Sequence, residues 1–319
     1  MAYQAGDTIL DDEYNAFVNN SSSPFGLNHF AGTGSLQYGL GESAVSTVSA
    51  GSTVNASEWN ALFTGMSTIA GHTGDTLTSR SSISGGDLIE ISANVAADLA
   101  TLAASVAGGC TGTSAVTTSG ILQQPASSST WTGSFTTQVS ATFSSANNMR
   151  FFFNAGGKIR LDPIRTGNGG SDGASGKDAA WDNLYNAVGN LDIGSQSTSR
   201  SGSGETTDTN GLALGFYDLT TSYQTILQLS DDSYPYTANT LKIEAKLNNT
   251  PGSATVITIQ TTATDGSGEF TFNDASADNN AYRNGTHQHR LYSINTTTGG
   301  GLANAYSPSS TATVSNSTT

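Results

Sequence analysis

Residues 5–17, AGDTILDDEYNAF, and residues 50–62, AGSTVNASEWNAL, are two versions of one segment set 45 positions apart. Such a duplication constrains the chain strongly, because both copies must satisfy one local structure. Ala5/Ala50, Gly6/Gly51, Thr8/Thr53, Glu13/Glu58, Asn15/Asn60 and Ala16/Ala61 are identical, and Ile9/Val54, Tyr14/Trp59 and Phe17/Leu62 exchange similar apolar shapes. Each copy predicts a turn at its Gly and then a helix, with Asp11 or Asn55 as N-cap and an acid in the first turn. Tyr14, Phe17 and Val18 in one copy, and Trp59, Leu62 and Phe63 in the other, fall at i, i+3 and i+4 and make one apolar stripe each. A helix of about three turns is marginal alone in water. The stripes must therefore pack on each other, or Tyr14, Phe17, Trp59, Leu62 and Phe63 must dock this module onto a larger assembly.

Only 11% of the 319 residues are charged, against about 25% in ordinary soluble proteins. The surface must be built from Ser, Thr, Asn and Gly, the profile of extended β-rich surface proteins such as fibres, tubes and adhesins. A net charge of −14 with 11 Lys and Arg argues against nucleic-acid binding, which needs clustered cations. The single Cys110 excludes a disulfide framework within the chain and any Cys-based zinc cluster. No run approaches about 18 apolar residues, and the opening MAYQAGDT lacks the form of a signal peptide, so a soluble chain made in a cytoplasm, with no membrane partner, is expected.

Downstream, FGLNHFAGTGSLQYGL (25–40) reads as an ordered loop. Leu88, Ile91, Val95, Leu99, Leu102 and Val106 recur at three and four residues in an Ala-rich run and predict a helix over 87–107. Its near-heptad spacing suits either an ordinary intramolecular helix or a three-stranded bundle. From Trp131 the pattern turns to short alternating runs, with Arg150–Phe153 and Lys158–Leu161 expected as strands of a hairpin around Asn154, Gly156 and Gly157. Asp178 caps a predicted helix whose Trp181, Leu184, Tyr185 and Val188 share a face. LALGFYDL, YQTILQLS, LKIEAKL and ATVITIQTTAT read as antiparallel strands, with Leu241, Ile243, Ala245 and Leu247 opposite Lys242, Glu244 and Lys246. The expected organisation is a duplicated turn-helix docking module (1–75), an amphipathic helix and linker (76–130), a β-rich domain (131–295) and a polar tail (296–319). The fold class is α+β, an N-terminal helical docking module followed by a mainly antiparallel β-sandwich-like domain with one flanking helix.

A catalytic reading finds no nucleophile elbow, zinc-protease motif or phosphate loop. Asp231-Asp232 and the pair Asp274/Asp278 have the residue types of a glycosidase, yet they sit in expected turns, where Asp is common. His287-Gln288-His289 places two imidazoles on one face of a strand. Three chains meeting on an axis would offer six ligands to a transition metal; otherwise the pair lies exposed on an edge strand beside Arg283 and Arg290. No other cofactor is implied.

FFFNAGGKIRL, together with AGDTILDDEYNAF, GLNHFAGTGSLQYG and AGSTVNASEWNAL, resembles structural proteins of tailed bacteriophages, especially marine phages with large virions. The resemblance covers about residues 3–65 and 140–162, and it implies a non-enzymatic virion component of the tail, neck, baseplate or fibre. Its partners would be other virion proteins and further copies of itself, with a trimer favoured. Histidine-x-histidine pairs hold metal on the axis of trimeric phage fibres, which is the reading that would make His287 and His289 ligands. The competing expectation is a carbohydrate-binding adhesin or tail-spike that presents Tyr217, Tyr223, Tyr234, Tyr236, Tyr282 and Tyr292 to a host-surface glycan.

Overall fold

A computed structural model describes residues 11–85, 92–110, 116–123, 126–127, 133–166, 177–232, 234–267, 271–272, 276–277, 286–296, 306–308 and 315–318. The chain is mixed α+β. Its helices are α1 (Asp11–Asn19), α2 (Leu27–Ala31), α3 (Ala56–Thr73), α4 (Ser92–Ala107), α5 (Ala146–Asn154) and α6 (Lys177–Val188). The strands are β1 (Val116–Gln123), β2 (Ala126–Ser127), β3 (Ser134–Thr142), β4 (Lys158–Thr166), β5 (Leu191–Ile193), β6 (Thr198–Arg200) and β7 (Thr206–Asp208). They continue as β8 (Gln224–Ser230), β9 (Thr240–Leu247), β10 (Val256–Thr264), β11 (Thr271–Phe272), β12 (Ser276–Ala277), β13 (Thr286–Thr296) and β14 (Ser315–Thr318). Two compact units form, and neither is continuous in sequence. One takes Met1–Thr117, Asn147–Gly157 and Asn295–Ser307; the other takes Thr118–Ala146, Lys158–Ile294 and Pro308–Thr319.

The helical unit follows from caps and stripes. The Asn55 N–H donates to Glu58 Oε2 at 2.7 Å at the start of α3, which satisfies a donor the helix itself leaves open. Gly74 closes α3 in the left-handed region at φ 81°. The stripe Val95, Leu99, Leu102 and Val106 of α4 is buried against α2 and α3. This helix spends its near-heptad face inside its own chain. Leu88 and Ile91 of the expected helix lie outside the described residues.

The expected hairpin at Asn154–Gly157 is instead a helix, a turn and a strand. Every residue from Met149 to Asn154 is buried, so this helix is packed on all sides, and that tertiary packing overrides the strand preference of three consecutive aromatics. The helix then stops in a Schellman motif: the Gly156 N–H donates to Phe153 O at 3.1 Å and the Gly157 N–H to Phe152 O at 2.9 Å. Gly156 has φ 84°, and a Cβ there would stand 2.8 Å from Cys110 O, so only glycine fits without strain. The segment thus belongs to the helical unit and not to the β-rich one.

In the β unit two six-stranded sheets form, one ordered β1-β13-β4-β5-β6 with β2 beside β13, the other β14-β3-β10-β9-β8-β7. Burial alternates residue by residue along β3, β9 and β10, so Phe135, Val139, Leu241, Ile243, Ala245, Leu247, Ile257 and Ile259 face a core. The opposite face bonds to itself: Gln138 Nε2 donates to Gln260 Oε1 at 2.8 Å, and Ser140 and Thr258 hydroxyls meet at 2.9 Å. Helix α6 touches β4 of one sheet and β8 and β9 of the other, with Trp181, Leu184, Tyr185 and Val188 buried. LALGFYDL (212–219), expected as a strand, instead runs through two short 3-10 turns, Asn210–Ala213 and Phe216–Asp218. Of the polar tail, Ser315–Thr318 pairs antiparallel with β3.

Candidate functional sites

The duplicated segment builds a pair of helices whose aromatic faces meet. The Tyr14 and Trp59 rings stand edge to face with centroids 5.2 Å apart, Phe17 lies 6.2 Å and Phe63 6.0 Å from the Trp59 ring, and the Tyr14 hydroxyl donates to Glu58 O at 3.1 Å. Tyr14, Trp59 and Leu62 are buried within the unit, whereas Phe17 and Phe63 are half-buried. The first three therefore have no face left to offer a partner.

What the repeat conserves beyond the stripe is a side-chain clamp. Asn15 donates through Nδ2 to Val48 O and accepts at Oδ1 from the Val48 N–H, both at 2.9 Å; Asn60 makes the same two bonds to Ile83, also at 2.9 Å. Asn28 repeats the pattern on Val45 at 2.8 Å. Each carboxamide substitutes for a neighbouring strand. The clamped segments are half-buried at every third residue, 42, 45 and 48 in one and 77, 80 and 83 in the other, which is the period of an extended left-handed chain. The identity of Asn15 and Asn60 was the sequence signal for these straps. The second strap is also tied to α4, through the Thr78 N–H to Asp98 Oδ2 at 3.1 Å and Arg80 to Asp98 at 2.5 Å. Between it and α3 runs a cleft of about 510 Å³ lined by Phe63, Met66, Ser67, Ala70, Leu77 and Arg80.

A second clamp joins α5 to the loop before the first strap. The buried Arg150 guanidinium donates to Thr33 O at 2.8 Å, Leu36 O at 3.0 Å and Tyr38 O at 3.1 Å, and to Asn147 Oδ1 at 3.0 Å. Asn154, expected in a hairpin turn, is the last helical residue, buried, and donates to Leu36 O at 3.1 Å and Gly39 O at 2.9 Å. Backbone oxygens thus compensate a buried cation. The loop they hold is contorted, with φ positive at Gly34, Leu36, Gly39 and Gly41. Leu36 is 59% exposed at its tip. In the same loop region Phe25 stacks on His29 with centroids 4.5 Å apart, and Tyr38 packs tilted against both at 4.6 and 5.1 Å. Neither Arg150 nor Leu36 carried any periodic signal in the sequence.

In the β unit His287 and His289 do share a face of β13, but that strand runs inside its sheet with β4 along one side, so the pair is neither exposed nor at an edge. Both are buried. His287 Nδ1 lies 3.0 Å from Tyr185 Oη, and Phe135 packs 5.1 Å from the His287 ring; both nitrogens of His289 lack a hydrogen-bond partner. Arg165, opposite His287 on β4, pairs with Asp182 at 2.6 Å with its side chain only 1% exposed. Burial pushes the His287 imidazole down to about 4, aided by the Arg165 cation, and burial with the neighbouring His287 pushes His289 down to about 3. Two neutral rings facing the interior of one chain are not placed to meet copies of themselves on an axis. Arg283 lies outside the described residues, and Arg290 pairs with Asp162.

The carboxylates of Glu205, Asp231 and Asp232 converge within 4.8 Å, and the Asp232 N–H donates to Glu205 Oε2 at 2.9 Å. Burial and the two aspartates hold the Glu205 carboxyl above the usual range. Asp274 and Asp278 lie outside the described residues, as does Tyr282. Tyr234 is 82% exposed, Tyr236 is buried, and the Lys246 ammonium sits 4.3 Å over the Tyr223 ring. No protein-family model matches this chain, and neither a curated protein nor a solved structure shows significant similarity to it.

Proposed function

We propose that the protein is a non-enzymatic structural component of a bacteriophage virion, of its tail, neck, baseplate or fibre, joined to neighbouring virion proteins through its helical unit. On this reading the β unit is sandwich-like and carries the polar outer surface. One observation supports it above the rest: two segments that resemble phage structural proteins, GLNHFAGTGSLQYG and the FFFNAGG of residues 151–157, are joined through Asn154 of the second and through Arg150, which directly precedes it. Motifs far apart in sequence therefore form one structural element, as expected where they are kept together for a common role. Mass spectrometry and immunogold labelling of purified particles test the assignment; particles that lack the protein would reject it.

A carbohydrate-binding adhesin is the alternative, and exposed Tyr234 is the residue that favours it. Glycan-array binding abolished by Tyr234→Ala would move the assignment there.

A further inference from the structure

We infer that the helical unit associates head to tail with a second copy of this chain, the Leu36 loop of one copy entering the cleft between α3 and the second strap of the next. This rests on the assembly role proposed above and adds the identity of one neighbour.

Presentation of the knob is the first argument. A branched residue at φ 49° is costly, of the order of 1–3 kcal/mol, and such strain persists only where surrounding structure enforces it. Here the enforcing groups are a buried guanidinium and a buried carboxamide, both donating to the carbonyl of Leu36. The result is an apolar side chain held outward on a fixed backbone, so little ordering entropy remains to be lost on binding. Thr33 and Ser35 flank it, exposed, and can bond to a polar rim.

The cleft matches that knob in chemistry. Its walls include Phe63, Met66, Ala70 and Leu77, and about 510 Å³ is ample for a leucine side chain. Its two charged residues are already engaged: Asp75 accepts from Thr73 Oγ1 at 2.7 Å and Ser105 Oγ at 3.1 Å, and Arg80 pairs with Asp98. An incoming group therefore meets no bare charge and needs none. The knob brings none, because residues 14–41 contain no Asp, Glu, Lys or Arg. In a chain of net charge −14 such a neutral stretch is where a second copy can approach with least repulsion. A knob and a cleft at different places on one chain make a heterologous contact, which propagates into a ring or a filament.

Sedimentation of the full chain from about 1 μM to about 1 mM, the range of weak contacts, reads the association directly. The weight-average mass should climb past twice the 32.6 kDa of one chain. Leu36→Asn removes the knob while placing in the left-handed region a residue that tolerates it, so its thermal midpoint should hold or rise while association is lost. Ser67→Arg, at an exposed position on the cleft, should also give a monomer. Mixed in equal amounts, the two variants should form a dimer and stop, because one supplies only a cleft and the other only a knob. A wild-type chain that stays at 32.6 kDa throughout, variants that associate as wild type does, or a mixture that remains monomeric would each overturn the inference. Presence of the protein in purified particles is measured separately, so either idea can fail alone.

Discussion

The two units solve one problem, satisfying backbone polar groups, in opposite ways. In the β unit the backbone satisfies itself: β10 pairs over its whole length with β3 and over eight residues with β9, and side chains merely alternate between core and water. In the helical unit, long stretches between helices have no strand beside them among the described residues, and Asn15, Asn28, Asn60, Arg150 and Asn154 bond to their backbone instead. The lesson is about robustness. A ladder spreads its bonds over many interchangeable residues, whereas a clamp concentrates two to four on one side chain, so single substitutions should strike the two units differently.

Acidification should give the largest effect, and it falls on the β unit. His287 and His289 have folded pKa values of about 4 and about 3, below the ordinary 6.5, so their contribution is fully present above pH 6.5 and is lost as pH falls toward 4. Unfolding then takes up as many as two protons, each worth about 1.4 kcal/mol per pH unit. Urea unfolding from pH 7 to pH 4 reads the slope, and His289→Leu should make it shallower. A pH-independent stability over that range would show that the rings are not buried as neutral groups.

Truncating the shared core residue of the β unit comes next, with Trp181→Ala expected to cost about 3–5 kcal/mol. Arg150→Met should then cost about 3 kcal/mol in the helical unit, because three carbonyl oxygens lose a buried donor, and limited proteolysis should open first within 33–41. Gly156→Val should cost about 2–3 kcal/mol through strain at φ 84° and crowding against Cys110 O, with increased amide exchange appearing in α5 and not in β9 or β10. The smallest pair sharpens the contrast. Asn15→Ala and Asn60→Ala should each cost about 1–2 kcal/mol, while Thr262→Val, on the outer face of the ladder, should stay within about 0.5 kcal/mol. Equal losses in these two classes would dissolve the distinction between clamp and ladder.

Local periodicity was legible in the sequence, and it was correct where it was strong. The stripe of α4, the face of α6 and the alternation of β9 needed only neighbours three, four or two residues away. The candidate docking residues were legible as a stripe but not as a site, since the stripes of α1 and α3 are complementary to each other and hide Tyr14, Trp59 and Leu62. His287 and His289 were likewise readable as sharing a face, while the direction of that face was not: alternation says which residues go together and is silent on which side holds water.

The sequence by itself determined the duplication, the helix and strand periods, the glycine requirement at Gly156 and the poverty of charge. Tertiary structure alone decided that RFFFN is helical, that Arg150 holds a loop more than 100 residues away, and that an apolar side chain, Leu36, is left outside. The physical reason is range. Periodicity and caps are set by bonds within a turn, whereas a buried cation or an exposed leucine acquires its energy from partners that only the folded chain brings together.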